Sequence, residues 1–336
     1  MERGRSIDYW GVAAPALERT FYGTPLLRRY LLEEASGSPV DEDPGPNWAE
    51  NFVVQQYLAE HVPLRECLSL CCGFGELERL LSERGVFEEC LGVDISEGAL
   101  AGARSAAEAA GLKNIKYLQM DLNHGTFAPQ SFDLVWASGA LHHIDRLEHV
   151  VKQSHAALRP GGWFVANEYV GPARQDFPPR QRELINALLH LIPERLRYAR
   201  EDRFLPPSLR HRPRGVGSLY LMTRRLRLRR DFDFGKVWDH DHRHFELIDP
   251  TEGVRANEIV PTIQNIFGEV AIHAYNGSLL PYVLERRFFE LYDPEQDQAL
   301  LDLLIEAERT LTSLGEVTPD HAIVVVRKGE ARRVPG

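Results

Sequence analysis

The chain has 336 residues, enough for one large domain or a domain with a substantial insertion, and its 43% hydrophobic and 26% charged residues are ordinary for a soluble globular protein. The net charge of −10 argues against a general polyanion binder, and no apolar stretch approaches the roughly 20 residues needed to span a bilayer. Four cysteines (Cys67, Cys71, Cys72, Cys90) without metal-type spacing, and an N-terminus lacking the basic-then-apolar pattern of a secretory leader, lead to the expectation of a cytoplasmic protein with reduced thiols and no membrane partner.

From the N-terminus, residues 5 to about 35 carry a helical apolar pattern through Leu17, Phe21, Leu26, Leu27, Tyr30 and Leu31. SGSPVDEDPGPN, residues 36–47, reads as an acidic, turn-rich linker, and Trp48 to about His61 is helical again. The period then changes. CLSLC, ECLGVDI, IKYLQM, FDLVWA and GWFVANEYV are short strand-like runs, separated by helical stretches over 76–83, 97–110 and 146–158. Such alternation predicts βαβ units, hence a parallel sheet with helices on both faces. After about residue 171 the alternation stops. A helix near 181–192 closed by Pro193 leads into an arginine-rich segment with twelve arginines, no lysine and two acids between Arg195 and Arg230. A helix near 256–266, a strand near 270–275, one or two helices through Leu314 capped by Gly315, and a last strand over 321–329 complete the chain.

The run LSLCCGFGELER, residues 68–79, climbs from a strand into two glycines, Gly73 and Gly75, and then a helix. In open α/β sheets ligands bind beyond the carboxyl ends of the strands, where small residues let the backbone approach and the helix N-terminus offers unpaired N–H groups. The second strand ends at Asp94, 21 residues after Gly73, where an acid can accept hydrogen bonds from ribose hydroxyls. The third ends at Asp121, where an acid could meet an exocyclic amine. A dinucleotide enzyme would need GxGxxG, and Glu78 stands at the third position.

Together LSLCCGFG, GVDIS, LQMDL, FDLVWASGALHHI and LRPGGWFVANEY resemble class I S-adenosylmethionine-dependent methyltransferases, in order and spacing, over about residues 47–171. The resemblance implies an α/β, Rossmann-like seven-stranded sheet with helices on both faces, plus a helical N-terminal segment and an inserted cap. It implies S-adenosyl-L-methionine as cofactor, its methionine part cradled by Cys71, Cys72, Gly73 and Gly75. Asp94 would hold the ribose, Ile95 would pack on the adenine, Asp121 would bind the adenine amino group with Leu122 beside it, and Ala137 and Ser138 would border the methionine end. Two positions depart from the family's pattern: Ser69 replaces an acid and Cys71 a glycine. Cysteine is tolerable at 71 if φ there is negative, and the thiol reads as a small hydrophobe rather than a reactive group.

Methyl transfer needs a nucleophile in line with the methyl group, exclusion of water and often a base. The candidates at the ends of strands four and five are His142, His143 and Glu168, each with a structural alternative as a capping or anchoring residue. In WDHDHRHFELIDP, His240, His242 and His244 would share one face of a strand. A divalent ion is conceivable there, but the expectation is no metal, with His244 entering the site as a base. The arginine-rich segment could bridge the acidic core as a solvated face, bind an anionic small substrate through bidentate contacts, or bind nucleic acid, which the overall charge disfavours.

The expected organisation is a helical segment and linker over 1–46, the cofactor-binding core over 47–171, a substrate cap over 172–250, and the C-terminal part of the core over 251–336 with a helical insertion between the last strands. That insertion could dock in the cap or form a homodimer interface. The expected activity is methylation of a small-molecule acceptor of natural-product or glycan type, with oxygen preferred and a His or Glu as base. The alternatives are an RNA or protein methyltransferase, or a non-catalytic scaffold that binds no cofactor.

Overall fold

Parallel strands buried on both faces should read as near-continuous apolar runs, and the central strands here do. The computed structural model describes residues 21–197, 250–284 and 286–329 of the chain. Its sheet has seven strands: β1 (Leu64–Leu70), β2 (Phe87–Asp94), β3 (Ile115–Gln119), β4 (Phe132–Ser138), β5 (Leu158–Tyr169), β6 (Ala271–Ala274) and β7 (His321–Arg327), in the order β3-β2-β1-β4-β5-β7-β6. The pairs among β1 to β5 are parallel, whereas β7 runs antiparallel to both β5 and β6. This is the α/β, Rossmann-like architecture expected from the motifs.

The helices are α1 (Pro25–Ser36), α2 (Trp48–Val53), α3 (Glu76–Glu83), α4 (Glu97–Ala109), α5 (Leu147–Ala157), α6 (Pro179–Leu189), α7 (Ile259–Phe267) and α8 (Pro294–Ser313), with shorter turns between some of them. Proline begins α1 and α6, where its missing N–H costs nothing. The expected N-terminal helix is present from residue 25; its first part lies outside the described residues. The helix expected over 181–192 starts two residues earlier and stops at Leu189. The one expected over 256–266 divides into a 3-10 turn, Ala256–Glu258, followed by α7.

The sheet separates two apolar cores. Leu68, Leu70, Val135 and Ala137 face α5 and α7. Cys67, Cys90 and Trp136 face the other side, where α1, α2, α6 and α8 pack. Each fully buried leucine there, such as Leu27, Leu31 and Leu304, contributes about 1.5–3 kcal/mol relative to exposure.

The insertion between β6 and β7 is held against the N-terminal and post-β5 helices. Tyr30 on α1 donates to Glu308 on α8 at 2.7 Å, and the same carboxylate accepts from the backbone N–H of Leu279 at 2.7 Å. Arg309 pairs with Glu33 and Glu34. Gln181 on α6 donates to the Ser278 carbonyl and to Asp320, both at 2.8 Å. Arg195 reaches across to Asp297. These bonds weld α1, α6 and α8 into a helical layer over one face of the sheet.

Candidate functional site

The turn after β1 is built on left-handed backbone. Cys71, Gly73 and Gly75 have φ of 50°, 52° and 73°. The condition under which cysteine would sit comfortably at 71, a negative φ, is therefore not met; the Cβ there carries strain that glycine would avoid. Gly75 is required for a second reason: a Cβ on it would lie 2.3 Å from the Tyr117 hydroxyl. The turn is braced from the neighbouring strand. Cys72 N–H donates to the Val93 carbonyl at 3.0 Å. The Asp94 carboxylate accepts from Gly73 N–H at 2.9 Å and from Ser96 N–H at 2.8 Å. The Ser96 hydroxyl then caps α4 by accepting from Ala99 N–H.

The other cofactor candidates lie along the same edge. Met120 N–H donates to the Asp94 carbonyl at 2.8 Å, so the ends of β2 and β3 are tied together. Asp121 accepts from the Asn123 backbone N–H at 2.9 Å. Leu122 and Ala137 are buried, while Ile95 and Ser138 are half-buried. A turn of small residues and two carboxylates at successive strand ends suits a ligand with a polar chain, a ribose diol and an amino-substituted base. Burial first, then the Asp94, Glu168 and Asp121 carboxylates, push the Cys71 thiol well above its ordinary range. Both effects disfavour the thiolate, the reactive form of cysteine.

Beneath the turn lies Glu78, the residue that stands in place of a third glycine. The register aligns Tyr117, Gly92, Ser69 and Trp136 in one row across β3, β2, β1 and β4. Glu78 of α3 descends onto this row and is 1% exposed. Both Glu78 carboxylate oxygens, the Ser69 hydroxyl, the Tyr117 hydroxyl and the Trp136 Nε1 are buried without a hydrogen-bond partner. Burial pushes the Glu78 carboxyl up to about 7; the Ser69 hydroxyl faces it closely enough to oppose part of that shift but not in a geometry that makes a hydrogen bond. The signal for Glu78 was its spacing three residues before Leu81, on the buried face of α3.

At the end of β4 the chain enters a 3-10 turn, Leu141–His143. Glu168, 1% exposed near the end of β5, organises it. One of its oxygens accepts from Ala140 N–H at 2.9 Å and Leu141 N–H at 2.8 Å; the other lies 2.8 Å from His142 Nδ1. His143 Nδ1 lies 3.1 Å from the Thr251 hydroxyl. Glu252, which reading the sequence did not single out, stands 3.9 Å from His142 Nε2 and 3.8 Å from His143 Nε2. The loop carrying it is fixed by Arg174 N–H donating to the Gly253 carbonyl at 2.6 Å and Gln175 donating to Glu252 at 3.2 Å. Three of the four predicted catalytic candidates, His142, His143 and Glu168, thus converge. The fourth, His244, lies outside the described residues, as do His240, His242 and most of the arginine-rich segment.

Residues 68–166 match a family model described as a methyltransferase domain. Three curated relatives show the range of resemblance. The 2-phytyl-1,4-naphtoquinone methyltransferase of Nostoc sp. is 26% identical over 151 residues, covering 44% of this chain and 66% of that protein. The demethylmenaquinone methyltransferase of Thermus thermophilus is 32% identical over 118 residues, covering 35% and 53%. The ubiquinone biosynthesis O-methyltransferase of Coxiella burnetii is 31% identical over 114 residues, covering 33% and 47%. The chain therefore spans between about half and two thirds of the length of these relatives.

Proposed function

We propose that this chain, which carries a class I S-adenosylmethionine-dependent methyltransferase domain over residues 68–166, methylates a ring oxygen on a small acceptor of the quinol or phenol type. The observation that carries the reading is the buried Glu168, which fixes His142 beside His143 at the end of β4, next to Ala137 and Ser138. Relatives named for naphthoquinone, menaquinone and ubiquinone substrates support a ring acceptor.

S-Adenosylmethionine is the cofactor, and when bound it supplies a methyl group on a positively charged sulfur. The residues divide its recognition among them. Cys71, Cys72, Gly73 and Gly75 would cradle the methionine part. Asp94 would accept from the ribose hydroxyls, Ile95 and Leu122 would flank the adenine, and Asp121 would take its amino group. Glu168 is a positioning residue, because its oxygens already hold the turn and His142. The cluster of His142, His143 and Glu252 handles the acceptor's proton. Once that proton is taken, the acceptor oxygen is ready for the methyl group that the cofactor would supply, the electron pair of the broken C–S bond staying with its sulfur. Oxygen fits this cluster better than a neutral amine, which can attack a sulfonium without prior deprotonation.

Titration calorimetry with S-adenosylmethionine and transfer of labelled methyl groups test the reading. Catechols and reduced naphthoquinones should accept label, and bulk RNA should not. Label on RNA alone, with a steep salt dependence of RNA affinity, would replace the small-molecule reading. Absence of cofactor binding would make the chain a scaffold.

A further inference from the structure

We propose that His142, His143 and Glu252 form a binding site for a divalent cation of the zinc class at the acceptor end of the cleft. The ligand atoms, one from each residue, all lie within 4.8 Å of one another. Cation binding itself is independent of the methyltransferase reading; only its use, to hold and polarise an acceptor oxygen, rests on that reading.

The argument turns on which ring nitrogens are already spoken for. One Glu168 oxygen accepts two backbone N–H groups, and the other lies 2.8 Å from His142 Nδ1, where a carboxylate oxygen takes a hydrogen from that nitrogen. His142 therefore carries its hydrogen on Nδ1, and its Nε2 presents a lone pair. His143 Nδ1 stands 3.1 Å from the Thr251 hydroxyl, which can take its hydrogen in the same way. Both Nε2 atoms face the Glu252 carboxylate, at 3.9 and 3.8 Å. Three electron-pair donors thus lie close enough together to share one cation. A metal ion and a proton on one histidine are two ways of placing positive charge among them.

The metal fits the surroundings better. Two histidines and one carboxylate, each histidine anchored through its other nitrogen by a polar group, is the outer-shell pattern that orients metal ligands. Zinc bonds of about 2.0–2.1 Å in a tetrahedron put ligand atoms about 3.4 Å apart, so the two nitrogen-to-carboxylate separations of 3.9 and 3.8 Å need contract by only about half an ångström, and no pair of ligand atoms is farther apart than 4.8 Å. The His142 and His143 ring centroids are 4.1 Å apart with planes at 41°, a geometry that lets both Nε2 atoms tilt toward one ion. A fourth position would remain for water or an acceptor oxygen, the condition for a catalytic rather than a closed structural site.

The test uses the full chain stripped with a chelator and titrated calorimetrically with Zn2+, and with Co2+ as a spectroscopic probe. One ion per chain is expected, with cobalt absorption bands of nitrogen–oxygen coordination. His143→Ala and Glu252→Gln, each confirmed folded by circular dichroism, should each weaken that ion by about 100-fold or more. Whichever variant folds decides the matter. A wild-type chain that takes up no stoichiometric ion, or a folded variant that binds as tightly as wild type, overturns the proposal. Methyl transfer that survives chelation unchanged would sink the cation's use while leaving the function above intact. Tight ion binding without any methyl transfer would do the reverse.

Discussion

Glu78→Gln tests the buried row beneath the cofactor turn. In the unfolded chain this carboxyl ionises near 4.5; in the fold, burial moves it to about 7. Between those values the folded protein holds a proton that the unfolded chain releases, so stability falls as pH rises. The full stability is present below about 4.5 and the loss is complete above about 7. At 1.36 kcal/mol per pH unit, the interval corresponds to about 3 kcal/mol. Glutamine keeps the shape and cannot ionise, although its amide brings donors that the row must also satisfy. The informative quantity is therefore the pH dependence of the difference between the two proteins, not its value at one pH. Urea unfolding of both from pH 4.5 to 8.5 should show wild type losing about 3 kcal/mol relative to the variant. Other buried acids such as Asp320, also raised to about 7 by burial, are common to both chains and cancel. A difference that stays flat within 1 kcal/mol would refute the reasoning and mean that water or a cation satisfies Glu78.

Other sites give separate tests. Asp94→Ala removes the acceptor that braces Gly73 and Ser96 and should weaken S-adenosylmethionine binding by at least about tenfold, from one charge-assisted bond of about 1.5–3 kcal/mol, read by calorimetry; unchanged affinity would remove the ribose contact. Cys71→Gly relieves a left-handed cysteine of about 1 kcal/mol, partly offset by the entropy of glycine in the unfolded chain. It should leave cofactor affinity equal or better, and lost turnover with intact binding would give the thiol a role. Tyr30→Phe strips the buried Glu308 of its phenolic donor and should cost about 1.5–3 kcal/mol in denaturant unfolding; a neutral result would mean that the backbone donors at Leu279 and Leu280 suffice. Glu168→Gln should lower kcat more than it raises KM, because His142 loses the partner that fixes its tautomer; an unchanged pH–rate profile would leave Glu168 a purely structural anchor.

What could be read from the sequence followed from how each signal is encoded. The strands of the core were legible because burial on both faces writes apolar runs, and Asp94 and Asp121 because strand ends fix where an acid must stand. His142, His143 and Glu168 were legible as candidates for the same reason. Glu252 was not, since it lies on a loop 84 residues beyond Glu168 in the chain, brought back by bonds from residues 174 and 175 that no local pattern announces. Glu78 was hidden differently. An acid in the first turn of a helix ordinarily reads as a favourable, solvated partner of the helix dipole, and its spacing three residues before Leu81 is a weak sign against that reading, which the register of four strands makes plain. Cys71 was seen as a departure, but its φ of 50° depends on the turn that Gly73 and Gly75 complete.

The position of β7 also bears on the order in which the molecule can be assembled. Among the described residues β6 pairs only with β7, and β5 completes its hydrogen bonding there too. During synthesis, β1 to β5 can pair as they emerge, but the outer edge of β5 stays open until residue 327 has left the ribosome. For that interval Trp163, Val165 and their neighbours present an apolar, unpaired edge, the kind that recruits strands from other chains. The 46 residues between Ala274 and His321 lengthen that interval, and most of them form helices that have no sheet edge to complete until the last strand arrives. A chain stopped before His321 would accordingly be a candidate for aggregation even with its whole cofactor turn in place.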